Sequence, residues 1–333
     1  MTMKFNIKVA MMLSMLATGA ASAGAIITDG NVSLGVNDLG QLNVTGGIAD
    51  VGGETSVGVR WVDAGIQYES TAQGCLCEGW GVAIAETATS GYANESAGTA
   101  GLTSVSFSST ATTATSVVNM SDDLTITHDF ALSVSDNLYR VTVTIENTSG
   151  VDIADLLYRR TMDWDTAPTP FSEFVTIGGT ALASAVTAAN DNGFCSSDPL
   201  ALCTELTAGS TGDFIASGPA DHGANFDFNF GALAAGESYT FDIFFGGAAN
   251  KSDAFAALGA VGAEAYSLGW SGVDADQNGF EDVVDGQITP TYIFGFSGVG
   301  GVALPPTDVP EPTSIFMFGL ALMGLASRRK LFK

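Results

Sequence analysis

YRVTVTIE, Tyr139 to Glu146, alternates apolar and polar side chains along its whole length. Successive side chains of an extended strand point to opposite faces. Tyr139, Val141, Val143 and Ile145 therefore share one face, and the stretch predicts a half-buried strand. Phe226 to Phe230 (FDFNF) repeats the pattern, as does Thr240 to Phe245 (TFDIFF). Further strands are expected at 31–36, 57–62, 80–85, 102–108, 123–134, 155–164, 173–178 and 291–296, separated by Gly, Asn and Asp turns. Many short strands with such turns predict a mainly β protein, a β-sandwich or larger paired antiparallel sheets. Segment 86–122 is rich in Ser, Thr, Ala and Gly and reads as exposed loop, although Leu102 to Phe107 still alternates. One helix is expected near 252–268, capped at Ser252 or Asp253 and weakened by Gly259 and Gly262.

The two ends differ from this body. Lys4 and Lys8 precede an apolar run, and Ala21-Ser22-Ala23 follows it. A charged start, a short apolar stretch and an A-x-A site form a secretory signal peptide, here residues 1–23. The body, 24–300, is long enough for one β-rich domain or two sandwiches. Residues 301–309 read as a Pro-stiffened linker, and 310–333 form a tail. The run from Ile315 to Ala326 is 12 residues, all apolar or Gly. A spanning helix needs about 20, so the tail reads as a short membrane-directed signal.

Charge narrows the partners. Apart from the two ends, only five basic residues remain (Arg60, Arg140, Arg159, Arg160 and Lys251), against 35 acidic ones. Such a body repels nucleic acid and attracts cations.

Val309-Pro310-Glu311-Pro312, the apolar run and Arg328-Arg329-Lys330 together resemble the PEP-CTERM sorting signal of Gram-negative bacteria. The resemblance covers the last 25 residues or so. It implies export across the inner membrane, transient retention there through the tail, and processing by an exosortase-type enzyme. The destination it implies is the cell surface or an exopolysaccharide matrix, with polysaccharide as a possible partner. The basic cluster after the apolar run fits the positive-inside rule.

Export sets the chemistry of Cys75, Cys77, Cys195 and Cys203, for which disulfides are expected in an oxidising compartment. Three pairings are open.

DADQNGFEDVVD, Asp274 to Asp285, carries the spacing of a calcium loop. Asp274, Asp276 and Asn278 stand at positions 1, 3 and 5, and Gly279 at the sharp turn. Phe280 offers a backbone carbonyl, and Asp282 and Asp285 close the set at positions 9 and 12. Ca2+ takes several hard oxygens from one compact loop, so these residues are the expected metal ligands. The loop resembles those of thrombospondin type 3 repeats and dockerins, although position 12 is Asp where an EF-hand has Glu.

YRRTMDWDTAPTPFSEF, Tyr158 to Phe174, gathers Arg159, Arg160, Asp163, Trp164, Asp165 and Glu173. Asp163, Asp165 and Glu173 are the candidate catalytic carboxylates. Glycosidases use two carboxylates flanking the scissile bond, with Trp164 as the sugar platform in that reading. The competing reading is a structural Arg–Asp network with a packed Trp. No G-x-S-x-G, Walker loop, dinucleotide fingerprint or H-E-x-x-H is present. His128 and His222 read as hydrogen-bonding residues. A structural or adhesive surface protein is the leading expectation, and a carbohydrate-active enzyme or glycan-binding module the alternative.

Overall fold

A computed structural model describes residues 24–272 and 289–306. The strands, in chain order, begin with β1 (Ala25–Asp29), β2 (Val32–Val36), β3 (Val59–Asp63), β4 (Ile66–Glu69), β5 (Gly79–Ile84) and β6 (Thr89–Asn94). Next come β7 (Leu102–Ser109), β8 (Ala114–Met120), β9 (Leu124–Leu132), β10 (Leu138–Asn147), β11 (Leu156–Trp164) and β12 (Glu173–Gly178). The remaining elements are β13 (Val186–Asn190), β14 (Phe214–Ala220), β15 (His222–Asn229), β16 (Ser238–Ala248), α1 (Lys251–Ala260), β17 (Ala265–Ser271) and β18 (Thr291–Ser297).

These strands form three antiparallel sheets. The first is β1-β2-β3-β4, the second β13-β15-β11-β5-β6, and the third the nine-stranded β14-β12-β17-β18-β16-β10-β9-β8-β7. The protein is mainly β, as its alternation predicts. In β10, Val141, Val143 and Ile145 are buried while Arg140 and Glu146 are exposed. Burying a side chain of that kind contributes roughly 1.5–3 kcal/mol, so each such strand is held by one face.

The second and third sheets meet through aromatic side chains. Phe226 lies 4.8 Å and Phe228 4.9 Å, ring to ring, from Phe296. Tyr158 meets Phe241 edge-on at 5.1 Å. Such offset and edge contacts suit the ring quadrupoles. A single buried cluster takes members from all three sheets, among them Leu34, Tyr158 and Phe296.

Two expectations change. Segment 86–122 holds more strand than the expected 102–108, because β6 and β8 form in it besides β7. β8 alternates buried and half-buried residues, and it pairs β7 on one side and β9 on the other. β7, at the expected 102–108, is the outer strand of its sheet, and its Ser and Thr residues face solvent. The helix is also shorter than expected, with its cap at Asn250, whose Oδ1 accepts from the Asp253 backbone N–H at 3.0 Å. Gly262, at φ +64°, takes a left-handed turn after the helix, and from Ala265 the chain is strand.

Candidate functional site

β11 ends at Trp164, and its last residues split between two environments. Trp164 points into the core, fully buried, with its indole N–H donating to Ser267 Oγ at 3.1 Å. It therefore offers no face to a sugar. Asp163 and Asp165 take the other side, as the period of two requires. Both are buried.

Three more segments converge there. Glu173 opens β12, and Asp221 occupies the single-residue turn between β14 and β15. β15 pairs β11 with Trp164 opposite His222, so Asp221 lies just beyond the end of that register, beside Asp165. One carboxylate oxygen from each of Asp163, Asp165 and Asp221 falls within 4.8 Å of the others. The loop leading to β5 passes the same place: Cys75 Sγ stands 3.3 Å from Asp163 Oδ2. Cys75 is bridged to Cys77, so that sulfur has no proton to donate. A Cβ on Gly74 would come within 3.5 Å of Asp165 Oδ2.

The backbone around the cluster is well tied. Asp165 N–H donates to Ser70 O at 2.7 Å, and Ala167 N–H to Glu69 O at 3.0 Å. Thr166 N–H donates to Glu173 Oε1 at 3.2 Å, and the Thr166 and Ser271 hydroxyls meet at 2.8 Å.

The carboxylates themselves are poorly satisfied. Asp163 Oδ1, both oxygens of Asp165 and Glu173 Oε2 are buried without a hydrogen-bond partner. Burial, followed by the charge of Asp221, raises the pKa of Asp163. Burial and the charges of Asp163, Glu173 and Asp221 raise that of Asp165. Burial pushes Glu173 up to about 9 against the pull of nearby backbone N–H groups. Two like charges 4.8 Å apart repel by about 3–4 kcal/mol at an effective dielectric of 20.

The basic residues go elsewhere. Arg160 pairs with Glu78, both fully buried. Arg159 grips Asp227 and donates to the carbonyls of Ser196, Asp198 and Ala201. Arg60 Nε meets Glu69 Oε2 at 2.7 Å. Arg159 and Arg160 adjoin Asp163 and Asp165 in sequence, yet their ion pairs are with other acids.

Both histidines are engaged. His222 Nδ1 lies 3.0 Å from Asp191 Oδ2, and its Nε2 lies 3.2 Å from Glu173 O. With an oxygen at each nitrogen, neither nitrogen stands open to a substrate. His128 Nε2 contacts the Tyr158 hydroxyl at 3.2 Å.

Cys75 pairs with Cys77 and Cys195 with Cys203, at Cα separations of 5.2 and 5.6 Å. The expected calcium ligands Asp274, Asp276, Asn278, Phe280, Asp282 and Asp285 lie outside the described residues, as do the signal peptide and the tail. Among the described residues no helix is long and apolar enough to cross a membrane. Sequence reasoning misses Asp221 and the Cys75 contact, because both arrive through pairing between segments distant in the chain.

The model of the PEP-CTERM protein-sorting motif matches residues 308–330. The chain carries a PEP-CTERM sorting motif. Such motifs are processed by exosortase and imply export. No curated protein matches the chain.

Proposed function

We propose that this is a non-catalytic protein of the cell surface or extracellular matrix, structural or adhesive in role and steadied by calcium. The PEP-CTERM motif supports its exported destination, with the tail holding the chain in the inner membrane until processing. One observation favours a structural reading over glycan turnover. The candidate acids Asp163, Asp165 and Glu173 are at most 1% exposed, and Trp164 between the two aspartates is sealed in the core. A glycosidase needs its carboxylates on either side of a bound sugar. These acids converge on one another instead.

Calcium enters through Asp274, Asp276, Asn278, Phe280, Asp282 and Asp285, whose spacing supplies hard oxygens from one loop. Ligand that binds only the native state adds stability by mass action. EDTA should therefore lower the melting temperature of the exported protein, and Asp276→Ala should make the melt less sensitive to chelator. A melt unchanged by EDTA argues against the calcium reading. Recovery of the protein from the matrix fraction, with polysaccharide co-purifying, tests the adhesive role. Recovery from the cytoplasm of the producing bacterium contradicts it.

A further inference from the structure

We propose that Asp163, Asp165 and Asp221, with Glu173 beside them, form a divalent-cation site at the seam where the second and third sheets meet. The four acids are all different residues from the expected ligands of the Asp274–Asp285 loop.

Three observations carry it. First, the oxygens of Asp163, Asp165 and Asp221 lie within 4.8 Å of one another. Ca2+–oxygen distances run from 2.3 to 2.6 Å, so two ligands on opposite sides of one ion stand about 4.6–5.2 Å apart. The three oxygens therefore fit within one coordination sphere. Second, the oxygens of Asp163 and Asp165 are buried and short of donors. Both of Asp165's, and Oδ1 of Asp163, meet no donor outside this pair of acids, in side chains that are 0% and 1% exposed. Native proteins rarely leave such groups unmet. Third, the arginines that might have neutralised them are engaged by Glu69, Asp227 and Glu78.

The donor set selects the ion class. The nearest sulfurs, Cys75 and Cys77, are joined to each other and offer no thiolate. What remains is carboxylate oxygen, which suits hard cations such as Ca2+, Mg2+ or Mn2+. Asp221 is exposed, which gives the ion a route in from solvent.

Position gives the ion a task. Asp163 and Asp165 belong to the end of β11 in the second sheet. Glu173 starts β12 in the third, and Asp221 is the turn by which the chain passes from β14 in the third sheet to β15 in the second. A cation held by the three aspartates, with Glu173 alongside, ties the two sheets at their shared end.

The test is calorimetric titration of the purified exported protein with Ca2+, alongside Tb3+ luminescence excited through tryptophan. The loop is first disabled by Asp276→Ala. That protein is expected to bind one Ca2+ still and to sensitise Tb3+. Asp221→Asn, at an exposed turn that carries no core packing, should weaken this binding at least tenfold. Asp165→Asn should abolish it. In the unsubstituted protein either change should affect one ion and leave the loop's ion in place. Absence of Ca2+ binding and Tb3+ signal in the folded Asp276→Ala protein overturns the site. So does unchanged affinity in both Asp221→Asn and Asp165→Asn. A wild-type protein that loses its only ion on Asp276→Ala supports the loop and removes this site. One that keeps an ion sensitive to Asp221→Asn supports this site whatever the loop does.

Discussion

Arg160 and Glu78 are joined in an ion pair with neither side chain exposed to solvent. Glu78 also accepts from the Leu42 backbone N–H at 2.6 Å, and Arg160 donates to Gly40 O at 3.3 Å. The pair thus ties the 40–42 turn, beside the first sheet, to β11 of the second. Removing one partner leaves the other charge buried and alone, at a cost of about 3–5 kcal/mol. Arg160→Met should destabilise by that order in urea unfolding. Adding Glu78→Leu should recover part of the loss, since two apolar groups leave no unpaired charge.

His128 predicts a pH dependence. It packs against Trp80 with ring centroids 4.4 Å apart, and burial, then the charge of Arg160, hold its pKa well below the usual value. The folded ring stays neutral while the unfolded chain gains a proton below about pH 6.5. Protonation then favours the unfolded state, so stability falls as pH drops through that value, by at most about 1.4 kcal/mol per unit. His128→Gln should remove this slope. The comparison of wild type with variant between pH 6.5 and 4.5 isolates His128 from the buried acids, whose raised pKa values act in the opposite direction.

Much of the fold is legible in the sequence, because the signal is local. Val141, Val143 and Ile145 announce a buried face without reference to any partner strand. β8 escapes for the converse reason: its buried face is Ala114, Ser116, Val118 and Met120, and Ala and Ser carry little apolar signal. The site divides in the same way. Asp163 and Asp165 are two apart, so their shared side follows from strand geometry alone. Asp221 joins them through the β11–β15 register, a pairing between segments about 60 residues apart that no local pattern encodes. The arginines mislead for the same reason. Their neighbours in sequence are Asp163 and Asp165, but Arg159 meets Asp227 across the β11–β15 ladder and Arg160 meets Glu78 beside β5.

Gly269 shows how tightly Trp164 is held. A Cβ there would stand 2.6 to 2.9 Å from three atoms of the indole. Gly269→Ala forces the ring or the β17 backbone to shift, and overpacking of this kind costs about 1–3 kcal/mol. Because Trp164 lies between Asp163 and Asp165 in sequence, the same substitution should also weaken Ca2+ binding at their carboxylates. A thermal melt and a titration on one sample check both outcomes.

The Cys195–Cys203 bridge makes the last prediction. It closes a loop whose carbonyls at Ser196, Asp198 and Ala201 all accept from Arg159. Chain entropy for a loop of this size gives the bridge roughly 2–3 kcal/mol. Intact mass under non-reducing conditions should fall four hydrogens below the reduced value, counting both bridges. Replacing Cys195 and Cys203 by Ser should cost about the chain-entropy amount in unfolding free energy. The loss should not add to that of Arg159→Ala, because without the bridge the three carbonyls are no longer held in place for the guanidinium. Simple additivity of the two losses would mean that Arg159 holds its carbonyl cage without help from the bridge.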